Sequence, residues 1–150
     1  MCQQYYKLYD IPISILRIFS VYGPGLKKQI LWDIYNQIKS SDRVYLDGTG
    51  QETRDFIFID DLTKVVASFL KKSSYDCNIV NVGTSQSITV KKLAQTLIAV
   101  SGKIIPLEFS ARKRQGDPVA WALKCEGFMN ELPFNLTTLI LRYELKSALY

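Results

Sequence analysis

The chain contains no histidine and only three cysteines, Cys2, Cys77 and Cys125, set far apart. Those two scarcities remove whole classes of chemistry. Without imidazole there is no Ser-His-Asp or Cys-His relay, and no zinc site of the usual cysteine–histidine spacing. An odd, dispersed set of thiols reads as packing residues in a reducing compartment, which points to the cytoplasm. Long apolar runs are missing too. None reaches the ~18–20 residues that cross a bilayer, and the first residues lack the basic-then-apolar pattern of a secretory leader. Glycine is sparse, with 8 in 150 residues. It is nowhere spaced G-x-x-G-x-x-G, the turn that seats a dinucleotide pyrophosphate on a helix N-terminus.

What is present suits one globular domain with a real core: 47% hydrophobic and 22% charged residues over 150 positions. The net charge of +5 is spread out, apart from Lys27-Lys28, Lys71-Lys72, Lys91-Lys92 and Arg112-Lys113-Arg114. A modest, scattered basic excess suits a small anionic ligand or a solvated surface, and no nucleic-acid partner is expected.

Apolar patterning and turn residues divide the chain. Residues 1–9 read as the end of a helix, stopped by Asp10-Ile11-Pro12. Ile13 to Phe19 is apolar at nearly every position, as in a parallel strand covered on both faces. Ser20 to Gly25 reads as a turn, and residues 26–39 as an amphipathic helix carried by Leu26, Ile30, Leu31, Ile34 and Ile38. Val44–Leu46 is a short strand. Asp60 or Asp61 is placed to cap a helix to about Lys72, Asn78–Val82 is a second buried-type strand, and Ser87 or Thr89 caps a helix from Val90 that Gly102 ends. Ile104–Phe109 reads as a strand, 110–118 as a basic loop and 136–149 as a closing helix.

The chain is organised around Gly48-Thr49-Gly50-Gln51-Glu52-Thr53-Arg54-Asp55-Phe56-Ile57-Phe58-Ile59-Asp60-Asp61. Two glycines make a tight turn, one arginine follows, and an apolar run leads to an Asp pair. A single arginine delivered by a turn to the mouth of a strand suits an anion, because its fork of donors matches phosphate. Spacing alone leaves a second reading open, a surface ion pair of Arg54 with Asp55 or Glu52. The stretch resembles the G-x-G-x-x-x-R-D-[FY]-[IV]-x-[VI]-x-D signature of the nucleotide-sugar epimerases and dehydratases, the extended short-chain dehydrogenase/reductase family. In that family the arginine meets the diphosphate of a UDP-, dTDP- or GDP-sugar, a role that falls here to Arg54.

Other segments carry the same resemblance. Leu16 to Gly25 is similar to L-R-x-x-N-x-Y-G-P-G, with Ser20 in place of the common Asn, and implies Ser20 and Tyr22 near the sugar. Arg112 to Pro118 is similar to the R-x-G-D loop, which implies Arg114 on the diphosphate and Asp117 near sugar or ribose. Val44 to Asp47 lies where relatives face the nucleotide base, so Tyr45 is a candidate stacking residue. Asn81 to Val90 is similar to N-[VI]-G-x-x-x-x-[ST]-[VI], an architectural unit.

The resemblance implies an α/β fold, the C-terminal part of a Rossmann-like extended short-chain dehydrogenase with its smaller substrate-binding subdomain, residues 1–150 forming a single fragment. The family's catalytic Tyr-x-x-x-Lys pair lies upstream of the helix that ends in residues like Met1–Tyr9, so no catalytic residue is expected in this chain. NAD or NADP is expected in the intact enzyme and neither on this chain alone. Expected partners are a nucleotide-diphosphate sugar and the missing N-terminal half, with a homodimer for the intact enzyme and no membrane. The rival expectation is a non-catalytic nucleotide-sugar-binding module or a subunit completing another chain's sheet.

Overall fold

A computed structural model describes residues 1–112 together with Met129 and Leu132. The element order is α1 (Cys2–Tyr9), β1 (Ile13–Ile18), β2 (Ser20–Tyr22), α2 (Gln29–Ser40), β3 (Val44–Leu46), β4 (Thr53–Phe58), α3 (Ile59–Lys72), β5 (Asp76–Val82), β6 (Ser87–Thr89), α4 (Val90–Ser101) and β7 (Leu107–Phe109). The expected closing helix at 136–149 lies outside the described residues.

The strands pair in three small sheets. β1 runs parallel to β5, β3 parallel to β7, and β4 lies between parallel β2 and antiparallel β6. β1 and β2 form one extended path that changes partner. Ile18 is opposite Val82, the Phe19 N–H still donates to the Val82 carbonyl, and Ser20 then lies opposite Phe56. The turn expected from Ser20 therefore starts only at Gly23. Val21 and Tyr22, β-branched and aromatic, favour the pleated surface and have Ile57 and Phe58 as partners. Gly23 itself has no room for a side chain, because a Cβ there would collide with Ile59.

Helix ends show where side-chain chemistry acts. Thr89 caps α4, its Oγ1 accepting from the Lys92 N–H, and Gly102 ends that helix in the left-handed region at φ 72°. α3 is different. It begins at Ile59 with Phe58 in the capping position, so Asp60 and Asp61 fall in its first turn rather than before it. There they still favour the positive end of the helix dipole, and Asp61, 1% exposed, receives the Lys64 ammonium at 3.0 Å.

Alternation along β4 feeds two cores, because successive side chains take opposite faces of a strand. Phe56, with Phe58 packed beside it, joins Tyr22, Leu31, Ile34, Ile38, Val44, Leu46, Val90, Leu93, Ala94 and Leu97, a core between the strands and helices α2 and α4. Ile57 joins Leu62, Val65, Val82 and Met129 on the α3 side. The β1–β5 pair is parallel as its sequence indicates, but among the described residues it is not covered on both faces. Ile18 and Ile79 are exposed, and no residue of α1 is buried.

Candidate functional site

The Gly48–Glu52 turn is a junction of four elements. Gly48 and Gly50 hold φ of +94° and +79°, angles that residues with a Cβ resist. Space is tight as well: a Cβ on Gly50 would lie 2.6 Å from the Phe109 ring, and one on Gly48 2.8 Å from Glu52 Oε1, which would have to move. Glu52 Oε1 closes the turn by accepting the Thr49 N–H at 2.9 Å and the Thr49 hydroxyl at 3.0 Å. Burial raises the Glu52 pKa, but the hydrogen bonds from the Thr49 N–H and hydroxyl, with the nearby Glu52 and Gly50 N–H dipoles, outweigh it. The carboxyl titrates below its ordinary 4.5.

This turn is fastened on two sides. The Val90 and Lys91 N–H groups, the first amides of α4, donate to the carbonyls of Glu52 and Gly50 at 2.8 and 2.9 Å. After β7, the Ser110 N–H donates to the Leu46 carbonyl and the Ala111 N–H to the Gly48 carbonyl. Ser110 Oγ meanwhile donates to Asp47 and accepts the Arg112 N–H. The segment entering the basic loop is thus bonded to the same turn that launches the arginine strand.

Strand β4 then separates Arg54 from Asp55. Asp55, 1% exposed, spends both oxygens on the loop after β5: Oδ1 accepts the Thr84 N–H and hydroxyl at 2.9 and 2.6 Å, and Oδ2 the Ser85 N–H at 2.8 Å. With Asp55 given to Thr84–Ser85 and Glu52 Oε1 to Thr49, the arginine-specific neighbours proposed from spacing serve other donors. Arg54, half-buried, donates from Nη1 to the Thr53 carbonyl at 2.8 Å.

Three of the candidate residues share one face. Ser20 lies opposite Phe56 and Tyr22 opposite Phe58, and Arg54, two residues before Phe56, presents to that same face by strand alternation. Their surroundings differ. Ser20 is half-buried, whereas Tyr22 is a core residue at 1% exposure, edge-on to Phe56 and tilted against Phe58 with centroids 5.3 Å apart. Its ring packs into the core beside that face. Tyr45 is exposed on β3, its N–H held by Gln37 Oε1 at 2.7 Å, and three residues on the chain enters the turn. Arg114 and Asp117 lie outside the described residues.

Sequence reasoning missed the Glu52 clamp, the Asp55 anchor and strand β6, whose Ile88 lies opposite Arg54. The signal for the anchor was the pairing of an acid inside an apolar run with Gly83-Thr84-Ser85 after another strand. It also passed over one Tyr-x-x-x-Lys spacing, Tyr35 and Lys39 on α2. Tyr35 stacks on Trp32 at 5.4 Å and Lys39 is exposed in the last turn. This pair follows β1 rather than preceding α1, so the resemblance gives it no catalytic role.

The model of the NAD dependent epimerase/dehydratase family matches residues 1–83, more than half of the chain. The chain belongs to that family. An uncharacterized UDP-glucose epimerase of Bacillus subtilis is 32% identical over 124 residues, 81% of this chain and 39% of its own length. A UDP-glucuronate 4-epimerase of Thermodesulfobacterium geofontis is 29% identical over 79% of this chain and 36% of its own. Among solved structures, the UDP-glucuronic acid 4-epimerase of Bacillus cereus, in complex with UDP-glucuronic acid and NAD, superposes with a TM-score of 0.85. The match has 25% identity and covers 99% of this chain and 47% of that one. The family member described here therefore spans about two fifths of those curated relatives and about half of the solved one, as a Rossmann-like α/β fragment. No helix among the described residues is long and apolar enough to cross a membrane.

Enzymes of this family bind NAD, and the fragment can be tested for the pyrophosphate seat. The first two amides of α4 are taken by turn carbonyls and the third by Thr89. The first turn of α3 carries Asp60 and Asp61, which repel a phosphate. The N-termini of α3 and α4 therefore do not fit a dinucleotide pyrophosphate.

Proposed function

We propose that this chain is the nucleotide-sugar-binding, C-terminal portion of an NAD-dependent sugar epimerase or dehydratase. One observation carries the reading: the Gly48 turn ties the strand of Arg54 to the segment that leads into Arg112-Lys113-Arg114. Two arginine-bearing segments bonded to one turn make a place for a diphosphate, which takes two forked cations better than one. In this reading Arg54 and Arg114 hold the diphosphate, Ser20 and Asp117 lie by the sugar, and Tyr45 lies toward the base. Tyr22 acts through the face it supports. The dinucleotide and the proton-transfer groups belong to the other half of the enzyme, so the chain binds without turning over.

The test is a calorimetric titration of the chain with UDP, GDP and dTDP, repeated on Arg54→Ala. Loss of a charge-assisted contact of about 1.5–3 kcal/mol lowers affinity roughly ten- to a hundredfold. Binding of one nucleotide that survives Arg54→Ala unchanged would sink the assignment.

A second reading, a partner subunit that completes another chain's sheet, has its own observation. Among the described residues β1 and β5 form a two-stranded parallel sheet, and Ile18 and Ile79 are exposed there. An apolar cleft of about 310 Å³ lies alongside, lined by Ile13, Leu16, Val66, Phe69 and Tyr75. Parallel strands of this kind ordinarily have both faces covered. Co-purification with a dinucleotide-binding polypeptide would favour it over a covalently continuous enzyme.

A further inference from the structure

Glu52 belongs to neither arginine-bearing tip, yet its carboxylate shapes the turn to which both are fastened. Oε1 takes two donors from Thr49 and lies against Gly48, where a Cβ would stand 2.8 Å from it. Oε2 is buried and has no hydrogen-bond partner among the described residues. A buried carboxylate oxygen left unmatched offsets part of what the Oε1 bonds contribute, so stability alone is a weak reason for an acid at this position. Geometry gives a better one. The two glycines are the most deformable point between Leu46 and Thr53, and the Gly48 carbonyl is the atom that receives Ala111. Whatever fixes Thr49 fixes how far the Arg54 strand stands from the segment beginning at Ala111 and Arg112.

We propose that Glu52 is a positioning residue: by clamping Thr49 it sets the spacing between the cations that the two segments offer to a diphosphate. This rests on the nucleotide-sugar reading for the ligand, but not for the clamp itself, and the experiment separates the two. The full chain is used, with UDP as the probe. In the ligand-free protein, exchange of the Arg54 side-chain N–H groups and of the Thr49 amide is followed by NMR.

Glu52→Ala should release Thr49, speed both exchanges and weaken UDP binding by roughly tenfold, the scale of one lost hydrogen bond to a charged group. Glu52→Gln should restore both readouts, since its amide oxygen can accept the Thr49 donors. If Glu52→Ala does not fold, Thr49→Ala removes the hydroxyl side of the same clamp and should give a smaller change of the same kind. Faster Arg54 exchange in a protein that binds none of UDP, GDP and dTDP would retain the clamp and refute the diphosphate reading. Unchanged Arg54 exchange in Glu52→Ala would overturn the proposal. So would undiminished UDP affinity in that variant, or failure of Glu52→Gln to restore it.

Discussion

The two halves of this molecule use similar residues to different ends. Around α2, α4 and β4, isoleucine, leucine and phenylalanine close into a continuous core. Around α1, β1 and β5, equally apolar residues pair along the backbone and then stop: Leu8, Ile18 and Ile79 remain in solvent. Apolar content decides that a segment must be covered, but the neighbours present decide whether it is. The candidate site lies on the covered half, where a turn can be held from several sides.

That contrast can be broken by substitution. Leu93→Ala, at a site with no exposure in the larger core, should cost about 2–5 kcal/mol. Ile79→Ala, 39% exposed on β5, should cost well under half of that, and chemical denaturation of the two variants side by side measures the difference. Equal losses would mean that the β1–β5 half is as well packed as the other.

Asp55→Ala would strip the partners of the Thr84 and Ser85 N–H groups. At roughly 1–2 kcal/mol for each orphaned donor it should lower stability by about 2–4 kcal/mol, with hydrogen exchange of those two amides rising first. Thr89→Ala removes the α4 cap and should cost about 1 kcal/mol, readable as a shift of the urea midpoint.

The smallest effect sharpens the comparison from the site side. Because the folded Glu52 pKa lies below the ordinary 4.5, the unfolded chain binds the proton more readily. The stabilisation it contributes is complete above that unfolded value and is lost as pH falls through the folded pKa. Wild type should therefore lose a small increment of stability on acidification that Glu52→Gln does not lose. Parallel acid titrations of the two proteins would show a common curve if the carboxylate played no part.

Much of the fold was legible because local chemistry and tertiary structure agree there. Thr89 and Gly102 bound α4 as helix caps should, and the spacing of Leu31, Ile34 and Ile38 marks the buried stripe of α2. What was not legible depends on partners distant in sequence. Ser20–Tyr22 looks like the approach to a Gly-Pro turn until β4 is placed beside it, and Ser87–Thr89 is a strand only because Thr53–Asp55 runs against it. Asp60 and Asp61 have capping side chains, yet the helix starts one residue earlier. At the site, the Gly-Arg stretch stood out by composition. The Glu52 clamp did not, because an acid near a turn is ordinary until its contacts are known.

The strand order has a consequence for how such a chain acquires its shape. No two strands adjacent in sequence pair with each other among the described residues: β1 finds β5, β2 finds β4, β3 finds β7 and β4 finds β6. Among these seven strands there is no hairpin to form early and guide the rest. Helices α2, α3 and α4 can begin locally, but each sheet must wait for a distant segment to arrive, and long loop closures slow that search. During the wait, the apolar edges of β1 and β5 are open to any passing strand. Refolding of this chain should therefore be slow and its yield should fall steeply with concentration, the sheets forming last.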